Sequence, residues 1–393
     1  MARRRPPVET VEAFAPVVPD KRPGAKVFAE IAKSSKSFRQ AREVLRRVRA
    51  VPTIFPGVDF KIRVGGWPTD RVAMVHGPSG QGKTNFANGI GLSFLRRRHM
   101  YALIDAECTT PAPWLETMLG RYVDDAGFIA ARPDSYEQAV DDVRRIALGL
   151  AEARDKGKVD ADTTCLFVVD SIGKLVPLDI QEKIRKFAAE SKDGSVDGYR
   201  GASGMIKAAL NKAWLDQLTP LMHKTGCSIL FVARESADRD ASAMARKFGS
   251  DWKTTGGSSL YFDASLDVRV SAAKMIHEVE DDWKSPIVGE RHLVEIHKTK
   301  VSARQDVVEK ADFCTSNGAW TPEGFDRARD LLELGKELGV IQGTGWLSYD
   351  GNRWQGVKRF LTSAKPDLLD ALERDVRAAF GVDVAARADV VGG

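Results

Sequence analysis

Gly77-Pro78-Ser79-Gly80-Gln81-Gly82-Lys83-Thr84 is the stretch whose reading decides the fold. It fits the phosphate-loop pattern G-x-x-x-x-G-K-[ST] without a mismatch, and its flanks supply the context that pattern requires. Val72-Ala73-Met74-Val75 ahead of it reads as a buried strand, and the residues from Phe86-Ala87-Asn88-Gly89-Ile90 onward read as a helix. Glycines let successive backbone N–H groups turn toward phosphate oxygens, and the helix N-terminus adds its partial positive charge. In such a loop, Gly77 to Asn85 enclose the nucleotide, Lys83 reaches the β- and γ-phosphates, and the Thr84 hydroxyl ligates Mg²⁺. An NTPase using ATP and Mg²⁺ is the first expectation.

Working outward, further short apolar runs occur at Tyr101-Ala102-Leu103-Ile104, Leu166-Phe167-Val168-Val169 and Ser228-Ile229-Leu230-Phe231-Val232. Helical stretches at Tyr136 to Ala153 and Met205 to His223 separate them. Strands apolar on both faces that alternate with helices predict an α/β core with a mostly parallel sheet covered on both sides. Ser265 to Val270 and His292 to His297 alternate in polarity, as half-exposed strands do.

Upstream, Pro6, Pro7, Pro16, Pro19 and Pro23 predict a mobile arm to about residue 24. From Lys26 to Arg49 the apolar residues Ile31, Phe38, Ala41, Leu45 and Val48 recur at helical spacing. Ten basic residues against two acids between Lys21 and Ala50 make this helix either a solvated surface or a face for DNA phosphates or a neighbouring subunit. Val51 to Asp70, with Pro52, Pro56 and Gly65-Gly66, reads as a connector with short extended pieces. From about Gly318 the character changes. Thr321-Pro322 starts a helix, Gly339 stops it, Trp346 to Trp354 around Asp350-Gly351 reads as a hairpin, and two short helices run to about Phe380. The expected division is residues 1–50 as arm and oligomerisation helix, 51–317 as ATPase core, and 318–393 as a small α+β domain with a loose tail.

Hydrophobic content of 43% and charged content of 29% are those of an ordinary globular chain. No apolar run is long enough for a membrane span, and no apolar segment follows the basic start at Met1, so a cytoplasmic protein without membrane contact is expected. Cys108, Cys165, Cys227 and Cys314 have no metal-ligand spacing and read as reduced structural thiols. The net charge of +5 is compatible with a nucleic-acid partner without establishing one.

Two carboxylates carry chemistry. Asp170 ends the run Leu166 to Val169, where the second NTPase motif holds Mg²⁺ through water; a helix cap is the plainer alternative. Glu107 follows the strand ending at Ile104 and lies at the carboxyl edge of the sheet, where it could polarise the attacking water or stand as a surface carboxylate.

Taken together, these landmarks resemble the RecA family of strand-exchange recombinases, bacterial and phage, over roughly residues 51 to 378. The matching segments are the phosphate loop, Leu103-Ile104-Asp105-Ala106-Glu107, Val168-Val169-Asp170-Ser171, Phe248-Gly249, Thr254-Thr255-Gly256-Gly257, Lys298-Thr299-Lys300 and Gly345-Trp346-Leu347-Ser348-Tyr349-Asp350-Gly351. The resemblance implies a RecA-like core with an N-terminal helix and a small C-terminal domain. It makes Glu107 the catalytic glutamate, Asp170 the magnesium-site aspartate, and Lys298 with Lys300 a pair that reaches ATP held by the neighbouring subunit.

It also implies two loops that hold single-stranded DNA: Asp179 to Ser203, with Lys183, Arg185, Lys186, Lys192 and Arg200, and Arg234 to Gly257, with Arg239, Arg246, Lys247, Phe248, Trp252 and Lys253. Composition alone leaves plain surface loops equally open. Where the family has a sensing glutamine this chain has Arg234, expected to take that role with a charged fork. The second loop is also longer than the bacterial pattern, Pro111 replaces an aspartate near the adenine, and the usual acidic tail is missing. The expected activity is an ATP-dependent recombinase that forms helical filaments on single-stranded DNA and pairs it with homologous duplex. A hexameric helicase, or an ATP- and DNA-binding loader, shares much of this machinery.

Overall fold

The computed structural model describes residues 27–28, 30–31, 48–190, 203–237, 252–255, 258–278, 283–302, 309–316 and 326–380. Residues to Arg47 form one unit and those from Val48 another. Of the first, the four described residues are helical; the proposed arm and most of the basic helix lie outside the described residues. The helix was expected to run to Arg49, but Val48 and Arg49 are non-helical and lead into a strand.

In the second unit, Ala50–Val51 (β1) pairs antiparallel with Trp67–Pro68 (β2). Between them lies a helix, Pro56–Ile62 (α1), where the sequence suggested only a connector. Pro56 does not break it because it sits in the first turn, where a missing N–H costs nothing. The core then runs Val72–Gly77 (β3), Lys83–Arg96 (α2), Met100–Asp105 (β4), Ala112–Leu119 (α3), Phe128–Ala131 (β5), Tyr136–Asp155 (α4), Cys165–Asp170 (β6), Leu178–Glu190 (α5), Ser203–Thr225 (α6) and Ser228–Ala237 (β7). It continues with Trp252–Thr254 (β8), Ser258–Asp263 (α7), Leu266–His277 (β9), Ile287–Thr299 (β10) and Glu309–Ser316 (β11).

The strand order is β11-β10-β9-β3-β7-β6-β4-β5, with β8 paired to the far end of β7. The strands from β9 to β5 run parallel; β10 and β11 extend the sheet antiparallel. Both faces are apolar, as the unbroken runs require. Ala73, Val75, Leu103, Val168 and Leu230 face α1, α2 and α3, whereas Met74, Ile104, Phe167, Val169 and Phe231 face α4 and α6.

A third apolar cluster, with Leu331, Leu347, Trp354, Phe360 and Leu372, belongs to the C-terminal module. That module contains Arg327–Glu337 (α8), the hairpin Trp346–Tyr349 (β12) and Asn352–Gln355 (β13), Gly356–Ser363 (α9) and Pro366–Ala379 (α10). Asp350 and Gly351 both have positive φ, the mirror-image turn that a two-residue hairpin favours.

Two DNA loops were expected, and the described residues redraw both. Asp179 to Glu190 is helix α5, so Lys183, Arg185 and Lys186 stand on a helix. Ile180, Ile184 and Phe187 recur at its 3.6-residue period, a stripe masked by the charged residues between them. The second segment begins in strand and returns to strand at Trp252–Thr254, because β7 continues to Ala237 and pairs with β8 in the register Glu235↔Thr254, Ser236↔Lys253, Ala237↔Trp252. Lys192, Arg200, Arg239, Arg246, Lys247 and Phe248 lie outside the described residues.

Candidate nucleotide site

Strand order and register build the site. Asp105 is opposite Asp170, Asp170 is opposite Val232, and Gly77 is opposite Arg234. The carboxyl ends of β4, β6, β7 and β3 therefore place Glu107, Asp170, Arg234 and the glycine loop along one edge, where ligands bind in open α/β sheets.

The loop itself depends on two glycines. A Cβ on Gly77 would lie 2.1 Å from the Val270 carbonyl oxygen, so only glycine lets β3 turn away beside β9. Gly82 caps α2 in the left-handed region with φ 83°, a conformation that costs other residues energy. Lys83 is 7% exposed, and its Nζ donates to the Pro78 carbonyl at 2.6 Å, which holds the ammonium inside the arch. Burial lowers its pKa, with the nearby Asp170 carboxylate opposing. Ser79, Gly80, Gln81 and Asn85 complete the turn and the first turn of α2.

Thr84 Oγ1 donates to Asp170 Oδ2 at 2.5 Å. Burial raises the Asp170 pKa to about 6; the Thr84 hydrogen bond opposes this, and the Glu107 and Asp105 carboxylates add to it. A buried carboxylate crowded by two others and touching a hydroxyl is the donor set a hard divalent cation takes, so Thr84 and Asp170 fit Mg²⁺.

Glu107 is held at both oxygens. Ser171 Oγ donates to Oε1 at 2.8 Å, and Arg234 Nη2 donates to Oε2 at 2.7 Å. Burial pushes the Glu107 carboxyl up, but these two hydrogen bonds and the guanidinium charge outweigh it and hold the pKa below its ordinary value. Arg234, where the second segment begins, is itself anchored to the segment's other end: its N–H donates to Thr255 Oγ1 at 3.0 Å and its carbonyl accepts from the Thr255 N–H at 2.9 Å. Ser171 and Thr255 thus hold Glu107 and Arg234 through contacts across 64 and 21 residues, which no local sequence spacing announces.

Asp105 shapes the loop that follows β4. It accepts from the backbone of Thr109 and Thr110 and from Arg132 Nε at 3.0 Å, and Arg132 Nη2 also donates to the Thr110 carbonyl. Pro111 then caps α3 in an extended conformation.

Lys298 and Lys300 occupy the other half of the sheet, on and just beyond β10. Their ammonium groups converge on one carbonyl, Phe262 O, at 2.9 and 2.7 Å. Lys298 also donates to the Tyr261 carbonyl. Partial burial and the adjacent Lys300 charge bring the Lys298 pKa down to about 8. Lys253 is exposed on β8, and Lys183, Arg185 and Lys186 are exposed on α5. Lys183 pairs with Asp179 and Lys186 with Glu182 one turn away.

Sheet order, glycine loop and carboxylate edge define the class: a phosphate-loop α/β protein with a RecA-like core. The model of the RecA N-terminal domain family matches residues 32–314, and the chain belongs to that family. It is 29% identical over 347 residues to Protein RecA of Geobacter sulfurreducens, covering 87% of this chain and 89% of that protein. Similarity to Protein RecA of Desulforapulum autotrophicum is 28% over 345 residues, with 86% of each chain covered. For Protein RecA of Azospirillum lipoferum it is 29% over 349 residues, 87% of this chain and 84% of that one. Among the described residues no helix is long and apolar enough to cross a membrane.

Proposed function

We propose that this RecA-family chain is an ATP-dependent recombinase that polymerises on single-stranded DNA, pairs it with homologous duplex and exchanges strands. The observation that carries this reading is the hydrogen-bonded line from Thr255 through Arg234 to Glu107, since it ties the proposed second DNA segment to the residue that would orient the attacking water. Lys83 would hold the β- and γ-phosphates, and Thr84 with Asp170 would hold Mg²⁺, which neutralises phosphate charge. Glu107, kept ionised by Arg234 and Ser171, accepts a hydrogen bond from water and aims it.

Lys298 and Lys300 present two positive charges at one point, suited to the γ-phosphate on a neighbouring subunit. Residues 1–50 serve assembly, 51–317 the ATPase and 318–393 the incoming duplex. A head-to-tail contact that shares the site between subunits generates a filament unless its rotation closes a ring. A helicase ring would share the phosphate loop, and a loader would bind ATP and DNA without exchange.

A strand-exchange assay with circular single strands, homologous linear duplex, ATP and Mg²⁺ tests the proposal. Joint molecules and continuous filaments under the electron microscope are expected; closed rings, or binding without exchange, would overturn it. The shared site has its own control in mixed assemblies of Lys83→Ala with Lys298→Ala. Each variant alone should be inactive, whereas an equal mixture restores roughly one interface in four. No recovery in the mixture removes the trans role of Lys298.

A further inference from the structure

We infer that His76, Asp267 and His297 form a binding site for a divalent transition-metal ion of the zinc class, separate from the proposed Mg²⁺ position. The three residues lie on the neighbouring strands β3, β9 and β10, and one donor atom from each comes within 4.8 Å of the others. His76 and Asp267 are fully buried and His297 is partly so. Two imidazoles with one carboxylate are a donor set that zinc accepts readily.

Two further observations point to a cation. The first is Asp267, whose side chain is wholly enclosed while neither carboxylate oxygen accepts a hydrogen bond. His76 Nε2 approaches Oδ1 to 3.2 Å without the geometry of one. A buried carboxylate in that condition is costly unless a positive charge completes it; with no ion bound, a proton on His76 supplies that charge, since burial lowers the His76 pKa but Asp267 and Glu235 together raise it above its ordinary value.

The second is the surroundings. Glu235 Oε1 lies 2.8 Å from His76 Nδ1, so a proton on Nδ1 leaves the Nε2 lone pair facing Asp267. A carboxylate behind the non-ligating nitrogen is how metal-binding histidines are commonly oriented. Glu295 stands 3.7 Å from His297 Nε2, and Arg269 bridges Glu235 and Glu295 at 2.8 and 3.1 Å. Asp267, Glu235 and Glu295 thus stand beside two imidazoles with one guanidinium bridging the last two, an excess of negative charge that a divalent ion balances. Because His76 adjoins Gly77 and His297 adjoins Lys298, the ion would tie the phosphate-loop strand to the strand that carries the lysine pair.

Untagged full-length protein, dialysed against a chelator, is titrated with Zn²⁺ in competition with a chromophoric chelator, and its thermal melting is followed with and without the metal. One tightly held ion per chain and a raised melting temperature are expected. His297→Gln and Asp267→Asn should each weaken uptake by at least about 100-fold, since loss of an outer-shell partner alone costs 10- to 100-fold. Circular dichroism reports whether each variant folds; His297, the least buried of the three, carries the test if Asp267→Asn does not. Absence of competitive uptake overturns the inference, and so does uptake that a folded His297→Gln variant leaves unchanged. In either case His76 is held by its carboxylates through protons alone.

Discussion

Arg234 is placed to do two things at once. Its backbone is locked to Thr255 and its guanidinium to Glu107, so whatever moves the far end of the second segment moves a charge that sets the state of Glu107. A neutral amide at this position could form a hydrogen bond but could not lower a carboxyl pKa by charge. Arg234→Ala should therefore have two signatures. DNA-stimulated ATP hydrolysis should fall by about 100-fold, the low end of what one positioned group contributes in general acid–base work. With the guanidinium gone, burial dominates, the Glu107 pKa rises, and the acid limb of the rate profile moves to higher pH. Initial rates between pH 5 and 8, with and without single-stranded DNA, check both; an unchanged rate and limb remove Arg234 from the mechanism.

The basic residues of α5 act at the scale of an element. Lys183, Arg185 and Lys186 are exposed, and their intrahelical pairs with Asp179 and Glu182 are surface pairs of the kind that add little to stability. Replacing all three by alanine should leave the helix intact while reducing the salt dependence of single-strand binding. Each lost phosphate contact lowers the slope of log affinity against log salt by about 0.7, so the triple variant loses up to about 2. Binding measured across a salt series decides it; an unchanged slope takes α5 out of the DNA contact.

Some elements could be read from the chain and some could not, for reasons of local signal. β3, β4, β6 and β7 announce themselves because both faces are buried and their apolar runs are continuous. β5 does not, since as an edge strand it exposes Ile129, Ala130 and Ala131. α1 is hidden by Pro56, which belongs to its first turn, and α5 by charges that mask its apolar stripe. The site divides in the same way. The phosphate loop is contiguous and legible, and Asp170 is marked by its strand. The contacts that hold Glu107 span 64 residues to Ser171 and 127 to Arg234, and only the register of parallel strands brings them together.

At the scale of the whole chain from Val48 onward, one buried arginine is central to the attachment of the C-terminal module. Arg377 of α10 is 3% exposed; it donates to Asp59 Oδ2 at 2.8 Å, to the Thr53 carbonyl at 2.7 Å and to Glu373 at 2.7 Å. Asp59, fully buried in α1, also accepts from the backbone and hydroxyl of Thr53. Phe60 against Phe380, with ring centroids 5.0 Å apart, supplies apolar contact beside it. Arg377→Ala strands a buried carboxylate and should cost about 3–5 kcal/mol. The double change Asp59→Asn with Arg377→Met removes both charges and should recover much of that loss. Hydrogen exchange of the α1 and α10 amides separates the cases: both helices should lose protection in Arg377→Ala and regain it in the double variant. Equal protection in all three proteins would mean that the apolar contact around Phe60 and Phe380 docks the module and that the ion pair only orients it.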